Sequence, residues 1–326
     1  MALAVQTFDL TKQFGQVLAL DRLSLEIPEG SIFGVIGPNG AGKSTLMRLL
    51  VDVLKPTSGH VEVLGDDPRS GGKDLRARLG YLPGEFRVEP QLTGRQHLRF
   101  WASLSPGRDA MRRGRDFADR LDLDLSRLAG KLSKGNKQKL GVVQAFMHRP
   151  ELLILDEPTS GLDPLIQQTF LGMVREAHEG GATVFLSSHI LSEVEQVADR
   201  AAVLRSGRLV REATMGELRQ TAGRHLRAIV RATSVEDVRQ SASARGLAVV
   251  AEPAGDGEVR VSGLIEGRAN DVVGFLNGYQ VVDLVFAEPD LEETVLEIYS
   301  EPDGETASAE EPPARARRAL PAEEVE

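Results

Sequence analysis

The 326-residue sequence contains no cysteine, which excludes disulfides, thiol catalysis and thiolate metal sites. Its six histidines are scattered, so a bound metal would have to take oxygen ligands. No run of uncharged apolar residues approaches the roughly 18 to 20 that cross a bilayer. The opening MALAVQTFDL also lacks the basic-then-apolar pattern of a secretory signal. We therefore expect a chain that neither crosses a membrane nor is exported by that route.

Composition and charge indicate a soluble globular protein of about two domains, since 41% of the residues are apolar and 27% charged. The net charge of -9 is unevenly spread, because residues 301–326 hold eight acidic and three basic residues and carry -5 of it. The remaining 300 residues are therefore close to neutral at -4. This argues against a nucleic-acid partner, which usually selects a basic surface. The acidic tail itself has the composition of a disordered segment.

Short apolar runs alternate with segments of helical period, the pattern of βαβ units in a largely parallel sheet. The clearest buried strands are SIFGVI (31–36), LLIL (152–155) and TVFL (183–186). A loop rich in Gly, Asp, Ser or His follows each of them. Because ligands of open α/β sheets bind at the carboxyl ends of the strands, we expect these three loops to face one site.

The strand pattern stops between about residues 85 and 130. There Thr93 and Gln96 have the spacing of a capping box, and Leu98 and Trp101 follow at helical spacing. We expect a helical insertion within a first domain of residues 1–222.

After residue 223 the order of patterns becomes βαββαβ, which predicts a small α+β domain over 223–300 and makes a ferredoxin-like fold the candidate. A last helix is predicted at LEETVLEIYS (291–300), and residues 301–326 form the tail.

A phosphate-binding loop is the strongest chemical signal. The string G-x-x-x-x-G-K-[ST] is matched by Gly37, Pro38, Asn39, Gly40, Ala41, Gly42, Lys43 and Ser44. It follows a buried strand and precedes a predicted helix, Thr45 to Leu54, whose N-terminus favours anions. In this context backbone N–H groups would surround the phosphates, Lys43 would bind the β and γ phosphates of ATP, and the Ser44 hydroxyl would ligate Mg²⁺.

Two consecutive carboxylates, Asp156 and Glu157, end the strand LLIL. Alternation along a strand sends neighbouring side chains in different directions, so the two can have separate roles. Asp156 is the candidate for the Mg²⁺ shell and Glu157 for polarising a water that attacks the γ phosphate.

A second phosphate-binding helix N-terminus is indicated by Leu132-Ser133-Lys134-Gly135-Asn136, because apolar residues follow it at helical spacing. This string resembles the LSGGQ signature of ATP-binding cassette (ABC) transporter subunits and, as in that family, stands about twenty residues before the strand aspartate. The resemblance covers most of residues 1–225. It implies a P-loop NTPase fold of the ABC type with a helical subdomain, and a head-to-tail dimer in which Ser133, Gly135 and Asn136 of one subunit complete the ATP site of the other.

Further roles follow from the resemblance alone. Phe14 stands where the family has an aromatic that stacks on adenine, and Asp163 of the string SGLD stands where the family has the aspartate of a loop that communicates across the dimer. His189 resembles the switch histidine that reaches the γ phosphate. With Thr45 in the phosphate loop, these residues complete the implied nucleotide site, and Lys43, Glu157 and His189 form its catalytic set.

The sequence departs from the family in two places. The family has Gln or Glu directly after Tyr-x-Pro, whereas here Gly84 follows and Glu85 comes one position late, so Glu85 becomes a candidate metal ligand. In the signature, Lys134 replaces Gly and Asn136 replaces Gln. The charge on Lys134 would either attract phosphate or face solvent. Because Glu157 is retained, we expect an active ATPase.

Three functions agree with these motifs. The first is a peripheral ATPase at the cytoplasmic face of the membrane, paired with a second such subunit and driving a separate permease that docks on the helical insertion. The GLDP string (161–164) and the extra C-terminal domain resemble those of subunits that export drugs, antibiotics or other hydrophobic compounds. The second is a soluble ABC ATPase that acts on ribosomes or nucleic acid. The third is a regulatory protein that senses ATP without hydrolysing it.

Overall fold

The computed structural model describes residues 2–105, 109–221, 224–265 and 269–287. The strands in these ranges are β1 (Leu3–Phe14), β2 (Val17–Pro28), β3 (Ile32–Ile36), β4 (Ser58–Val63), β5 (Leu79–Leu82), β6 (Leu152–Asp156), β7 (Thr183–Ser188), β8 (Arg200–Arg205), β9 (Arg208–Thr214), β10 (Arg224–Arg231), β11 (Val250–Gly255), β12 (Glu258–Ile265) and β13 (Gln280–Ala287). The helices are α1 (Lys43–Leu50), α2 (Gly72–Arg78), α3 (Gly94–Leu104), α4 (Ala110–Arg120), α5 (Lys134–Phe146), α6 (Pro164–Glu179), α7 (Leu191–Glu195), α8 (Met215–Thr221), α9 (Val235–Ser243) and α10 (Ala269–Leu276), with a 3₁₀ turn at Ala129–Lys131.

The central sheet has the order β5-β6-β7-β3-β8-β9, parallel except for the antiparallel edge strand β9. Every residue of β3, β6 and β7 is buried, which is why these strands read as uninterrupted apolar runs. The three predicted strands are therefore confirmed. Because β7 lies between β3 and β6 and all three run parallel, the loops that follow them leave from the same edge of the sheet.

A second sheet, β2-β1-β4, is antiparallel, and its buried side chains share an apolar core with Phe33 and Val35 of β3. Its hairpin between β1 and β2 is closed by a two-residue turn, in which Phe14 pairs with Val17 and Gly15 has φ 57°. A positive φ at that position favours glycine, which explains why the turn falls there.

Helix α1 begins and ends earlier than predicted. The sequence indicated Thr45 to Leu54, whereas the helix spans Lys43–Leu50. The backbone turns at Asp52, whose φ is 57°, and the N–H groups of Val53 and Leu54 both donate to the carbonyl of Arg48. The final apolar residues therefore belong to a turn and not to the helix.

The predicted helical insertion is present as α3 and α4. Thr93 and Gln96 form the expected capping box, in which Gln96 N–H donates to the Thr93 hydroxyl and Gln96 Oε1 accepts from the Thr93 N–H. Leu98 is buried in the core, and Trp101 packs against it. These contacts extend the core under the insertion and fix its position beside α5.

The C-terminal elements follow the predicted βαββαβ order. Their four strands form an antiparallel sheet of order β11-β12-β10-β13 with its own apolar core. Strand β11 lies later than the predicted LAVVA (247–251), because the turn at Asp256 and Gly257, both with positive φ, fixes its pairing with β12 up to Gly255. The helix predicted at residues 291–300 lies outside the described residues. Among those that are described, no helix combines the length and apolar character that a membrane span requires.

Candidate functional site

The phosphate loop wraps between β3 and α1 as its sequence predicts. Gly40 and Gly42 have φ of 84° and 104°, values that L side chains rarely adopt. A Cβ at Gly42 would also lie 2.6 Å from the carbonyl oxygen of Ala19, so glycine is required there for space as well. Lys43, Ser44 and Thr45 follow as the first residues of α1. Their backbone N–H groups are therefore at the helix N-terminus, where an anion is favoured.

Three side chains, each from the segment that follows a different strand, meet at the carboxyl edge of the sheet. Lys43 Nζ, nearly inaccessible to solvent, donates to the carbonyl of Gly37 at 2.6 Å and lies 3.4 Å from Glu157 Oε1. His189 Nδ1 donates to the other carboxylate oxygen, Glu157 Oε2, at 2.5 Å. The structure thus brings together the three residues predicted as catalytic, and Glu157 is the centre of the group.

Asp156 and Glu157 point to different partners, but strand alternation is not the reason. Glu157 leaves the strand with φ 48°, a left-handed conformation that redirects its side chain towards Lys43 and His189. The carboxylate of Asp156 is fully buried, where Oδ1 accepts from the Ser187 hydroxyl at 2.8 Å and Oδ2 from the N–H of Gly84 at 3.3 Å. Because a buried carboxylate needs such donors, this clamp fixes its direction.

The oxygen donors at this edge suit Mg²⁺. The Ser44 hydroxyl, at the second position of α1, and the Asp156 carboxylate are hard oxygen donors, the kind of ligand that Mg²⁺ prefers. One carboxylate and one hydroxyl leave most of the coordination shell to water and phosphate oxygens, which is how Mg²⁺ is usually bound. The residues present therefore fit the ion.

The Tyr81–Pro83 string leads from β5 to Gly84, whose N–H contacts the carboxylate of Asp156. Burial raises the pKa of Tyr81, and the negative charge of Asp156 raises it further. A Cβ at Gly84 would lie 3.1 Å from Asp156 Oδ2, so the backbone N–H approaches the carboxylate where a side chain would crowd it. Glu85 points elsewhere: its exposed carboxylate bonds Arg87 at 2.9 Å, which lowers its pKa. Its assignment to the metal stays a prediction without a supporting contact.

The signature string begins α5. The Ser133 hydroxyl caps the helix by accepting from the N–H of Asn136 at 3.2 Å. Gly135 lies against the loop that precedes α6, since a Cβ there would be 2.5 Å from the carbonyl oxygen of Gly161. Lys134 Nζ lies 3.4 Å from the hydroxyl of Ser160 in that loop. The signature and the SGLD string are thus in contact within one chain.

The remaining predicted residues lie at the ends of elements. Asp163 caps α6, because its Oδ1 accepts from the N–H of Ile166 at 3.1 Å. Phe14 ends β1 with 45% of its surface exposed, and Lys12 Nζ lies 4.9 Å from its ring centre. An exposed aromatic at a strand end is available to a flat ligand, and nothing in its packing requires it to be there for the core.

Two residues at the site were missed by the sequence reasoning. The Ser187 hydroxyl donates to Asp156 and accepts from the N–H of Glu157 at 2.9 Å, so it fixes both carboxylate residues. Gln138 Nε2, on α5, donates to the carbonyls of Glu157 and Pro158 at 3.3 and 3.1 Å. The signal for Ser187 was the pair of hydroxyl residues that ends the apolar run TVFL. Gln138 had no signal beyond its position on the signature helix.

Comparisons with known proteins identify the family that the sequence motifs resemble. Residues 20–160 match the family model described as ABC transporter. The bacitracin transport ATP-binding protein of Bacillus licheniformis is 36% identical over 229 residues, 69% of this chain and 74% of that protein. The daunorubicin/doxorubicin resistance ATP-binding protein of Streptomyces peucetius is 36% identical over 224 residues, 68% of each.

Solved structures of the same family have a similar fold. An ATP-binding subunit of an ABC transporter superposes with a TM-score of 0.63 at 30% identity, over 67% of this chain and 92% of that one. A dimeric ATP-binding cassette with bound ADP and Pi shares the fold at 23% identity and a TM-score of 0.59, over 65% of this chain and 98% of its own. With the phosphate loop, the strand carboxylates and the signature helix in place, the chain belongs to the ATP-binding proteins of ABC transporters.

Proposed function

We propose that this chain hydrolyses Mg-ATP in a head-to-tail dimer and so drives a separate membrane permease. The observation that carries the proposal is the position of Glu157, whose two carboxylate oxygens contact Lys43 and His189 from two other loops. A base flanked by a cation and an imidazole, at the N-terminus of an anion-binding helix, suits attack of water on a terminal phosphate.

The roles of the three residues follow from their contacts. A phosphate group at the start of α1 would take the ammonium of Lys43 as its partner, leaving Glu157 Oε1 available to accept a proton from water. His189 holds the other oxygen of Glu157 and so orients the carboxylate. The ion Mg²⁺, held by Ser44 and Asp156, would neutralise charge that develops on the phosphate oxygens. The clamp from Ser187 and Gly84 keeps the Asp156 carboxylate directed for this purpose.

The nucleotide would contact residues from two subunits. One subunit would supply Phe14 to the adenine and the phosphate loop to the phosphates, through Gly37, Pro38, Asn39, Gly40, Ala41, Gly42, Lys43, Ser44 and Thr45. Its partner would supply the N-terminus of α5, through Ser133, Gly135 and Asn136, and Asp163 would act at the same interface. The contact of Gly135 with Gly161 supports this, because it joins the signature to the SGLD loop as one surface.

The permease would dock on a groove of about 540 Å³ in the helical insertion. Trp101 and Phe100 line this groove, and Phe100 is 57% exposed. Exposed aromatic side chains in a concave surface are typical of a site that receives a helix. The groove also contains Arg87 of the loop that reaches Asp156, so docking and hydrolysis share one segment of chain.

The cargo would be a drug, an antibiotic or another hydrophobic compound, by analogy with the bacitracin and daunorubicin relatives. The chain would work at the cytoplasmic face of the membrane. Residues 1–222 would form the cassette, with the insertion at 85–130, and 301–326 a tail. The strand order β11-β12-β10-β13 supports a ferredoxin-like fold for 223–300, because a βαββαβ unit of that fold places its first and third strands at the centre of the sheet.

The test uses the variant Glu157→Gln, which keeps the hydrogen-bonding shape of the side chain but removes the base. Tagged protein is expressed in the native cell, trapped with Mg-ATP, and recovered from gently solubilised membranes. We expect a dimer of this chain with a multi-span membrane protein in stoichiometric amount. Purified wild type should hydrolyse ATP, whereas Glu157→Gln should bind ATP with kcat reduced by about 10²- to 10⁴-fold. Recovery from the soluble fraction with ribosomes or nucleic acid would refute the transport function, and absence of hydrolysis by wild type would favour an ATP sensor.

A further inference from the structure

A buried carboxylate outside the proposed catalytic set joins two of its loops. Glu193 lies on α7 with 8% of its surface exposed. Its Oε2 accepts two hydrogen bonds, from the Thr159 hydroxyl at 2.6 Å and from the Ser188 hydroxyl at 2.8 Å. Both hydroxyl residues are themselves buried. A carboxylate is costly to bury, so a site that holds one between two hydroxyls at short distance is a specific arrangement.

The two hydroxyls belong to the loops that carry the catalytic pair. Thr159 is two residues after Glu157, in a turn where the N–H of Ser160 donates to the carbonyl of Glu157. Ser188 directly precedes His189, and its oxygen also accepts from the N–H of Ile190 at 2.9 Å. Ser188 therefore fixes the backbone on both sides of the histidine.

These contacts close a ring. From Glu157 the chain leads to Thr159, a hydrogen bond leads to Glu193, another leads to Ser188, and the next residue, His189, bonds Glu157 again. The direct bond between histidine and glutamate is thus supported by a second link at the back of the loops. Without that link, the imidazole and the carboxylate would be held together mainly by their own direct hydrogen bond.

We propose that Glu193 is a positioning residue, which holds the loop of His189 against the loop of Glu157 so that the imidazole and the base keep a fixed separation. This rests on the proposed hydrolysis of ATP. Glu193 does not touch phosphate or water in this role. Its effect passes through Thr159 and Ser188 to the orientation of the pair, and displacement of reacting groups by about 1 Å can cost about 100-fold in rate.

The chemistry of the contact makes a conservative variant informative. Both hydrogen bonds go to the same oxygen, so the amide oxygen of Glu193→Gln can accept both of them without the charge. Glu193→Ala removes this single acceptor and leaves the two buried hydroxyls without the oxygen to which they donate. If geometry and not charge is what Glu193 provides, glutamine should restore function that alanine loses.

The test measures ATP hydrolysis by the full-length chain. We expect Glu193→Ala to lower kcat by about 10- to 100-fold with little change in KM for ATP, and Glu193→Gln to stay within about threefold of wild type. Ser192→Ala, an exposed neighbour on α7, is the matched control and should match wild type. If Glu193→Ala fails to fold, Thr159→Val removes only the hydrogen bond to Glu193, whereas Ser188→Ala removes that to Glu193 and that from the N–H of Ile190; each variant should lower kcat.

A double-mutant cycle separates positioning from general stability. In a His189→Ala background the pair is already broken, so Glu193→Ala should lower kcat by less than about threefold further. Full additivity of the two losses would overturn the proposal, as would wild-type kcat in Glu193→Ala. Amide hydrogen exchange at residues 159–163 and 188–191 needs no hydrolysis and should accelerate in Glu193→Ala but not in Glu193→Gln or Ser192→Ala. Unchanged exchange would overturn the ring, whereas an inactive wild type with accelerated exchange would refute the proposed function alone.

Discussion

Substitution of Gly135 tests the contact between the signature helix and the SGLD loop. A Cβ at this position would lie 2.5 Å from the carbonyl oxygen of Gly161, about 0.9 Å inside ordinary van der Waals contact. The obstacle is backbone and not the end of a flexible side chain, so the loop must move. That loop is held by its own hydrogen bonds, such as the one from the N–H of Leu162 to the carbonyl of Thr159 at 3.0 Å. Gly135→Ala should therefore separate the two strings.

Two opposing effects set the size of the change. Overpacking of this kind costs about 1–3 kcal/mol, whereas alanine in a helix is more favourable than glycine by about 0.5–1 kcal/mol. We expect Gly135→Ala to lose about 1–2 kcal/mol of unfolding free energy, which lowers Tm by about 2–4 °C per kcal/mol. The same displacement should reduce kcat/KM for ATP by about 10- to 100-fold.

The matched control is Gly172→Ala in α6, where a Cβ would meet nothing within 4 Å. This variant should gain about 0.5–1 kcal/mol from helix propensity alone and keep its activity. Thermal unfolding and steady-state hydrolysis of the two variants, measured side by side, test whether Gly135 is required by its contact with Gly161. If Gly135→Ala also raised Tm and kept wild-type kcat/KM, the claim that Gly135 lies too close to Gly161 for a Cβ would be refuted.

Two further predictions concern the carboxylate of Asp156 and the dependence of stability on pH. Gly84→Ala places a Cβ 3.1 Å from Asp156 Oδ2, so we expect an apparent Mg²⁺ affinity weaker by about 3- to 10-fold in titrations of hydrolysis, with metal-free nucleotide binding unchanged. An unaltered Mg²⁺ titration would contradict the clamp. Burial lowers the pKa of His148 from 6.5, so the unfolded chain binds the proton first as pH falls. The free energy of unfolding should therefore decline below about pH 6.5. In His148→Gln, urea unfolding should show a shallower decline of this free energy with falling pH. An equal decline in the two proteins would contradict the lowered pKa of His148.

The sequence predicted most of the site because its motifs are local. The phosphate loop needs only a strand, glycines of positive φ and a helix, and all three occur between Ile32 and Leu50. The convergence of Lys43, Glu157 and His189 was also predictable, since three parallel strands end at one edge. Long-range backbone contacts were not. The N–H of Gly84 meets a carboxylate 72 residues away, and no side-chain pattern records that approach.

Element ends were the other source of error, and each has a local cause that periodicity does not contain. Helix α1 stops because the backbone reverses at Asp52, although apolar residues continue to Leu54. Strand β11 is shifted because the hairpin turn before β12 sets its register. In both places turn geometry overrides the apolar pattern, which reports burial and not hydrogen bonding.

The end of β7 explains how one strand serves two separate parts of the site. Ser187 and Ser188 are consecutive, and because side chains alternate along a strand they act on opposite sides. Ser187 bonds the carboxylate of Asp156, whereas Ser188 bonds Glu193 and fixes the turn around His189. Because two consecutive residues make these contacts, the position of β7 sets the direction of the Asp156 carboxylate and the turn around His189 together.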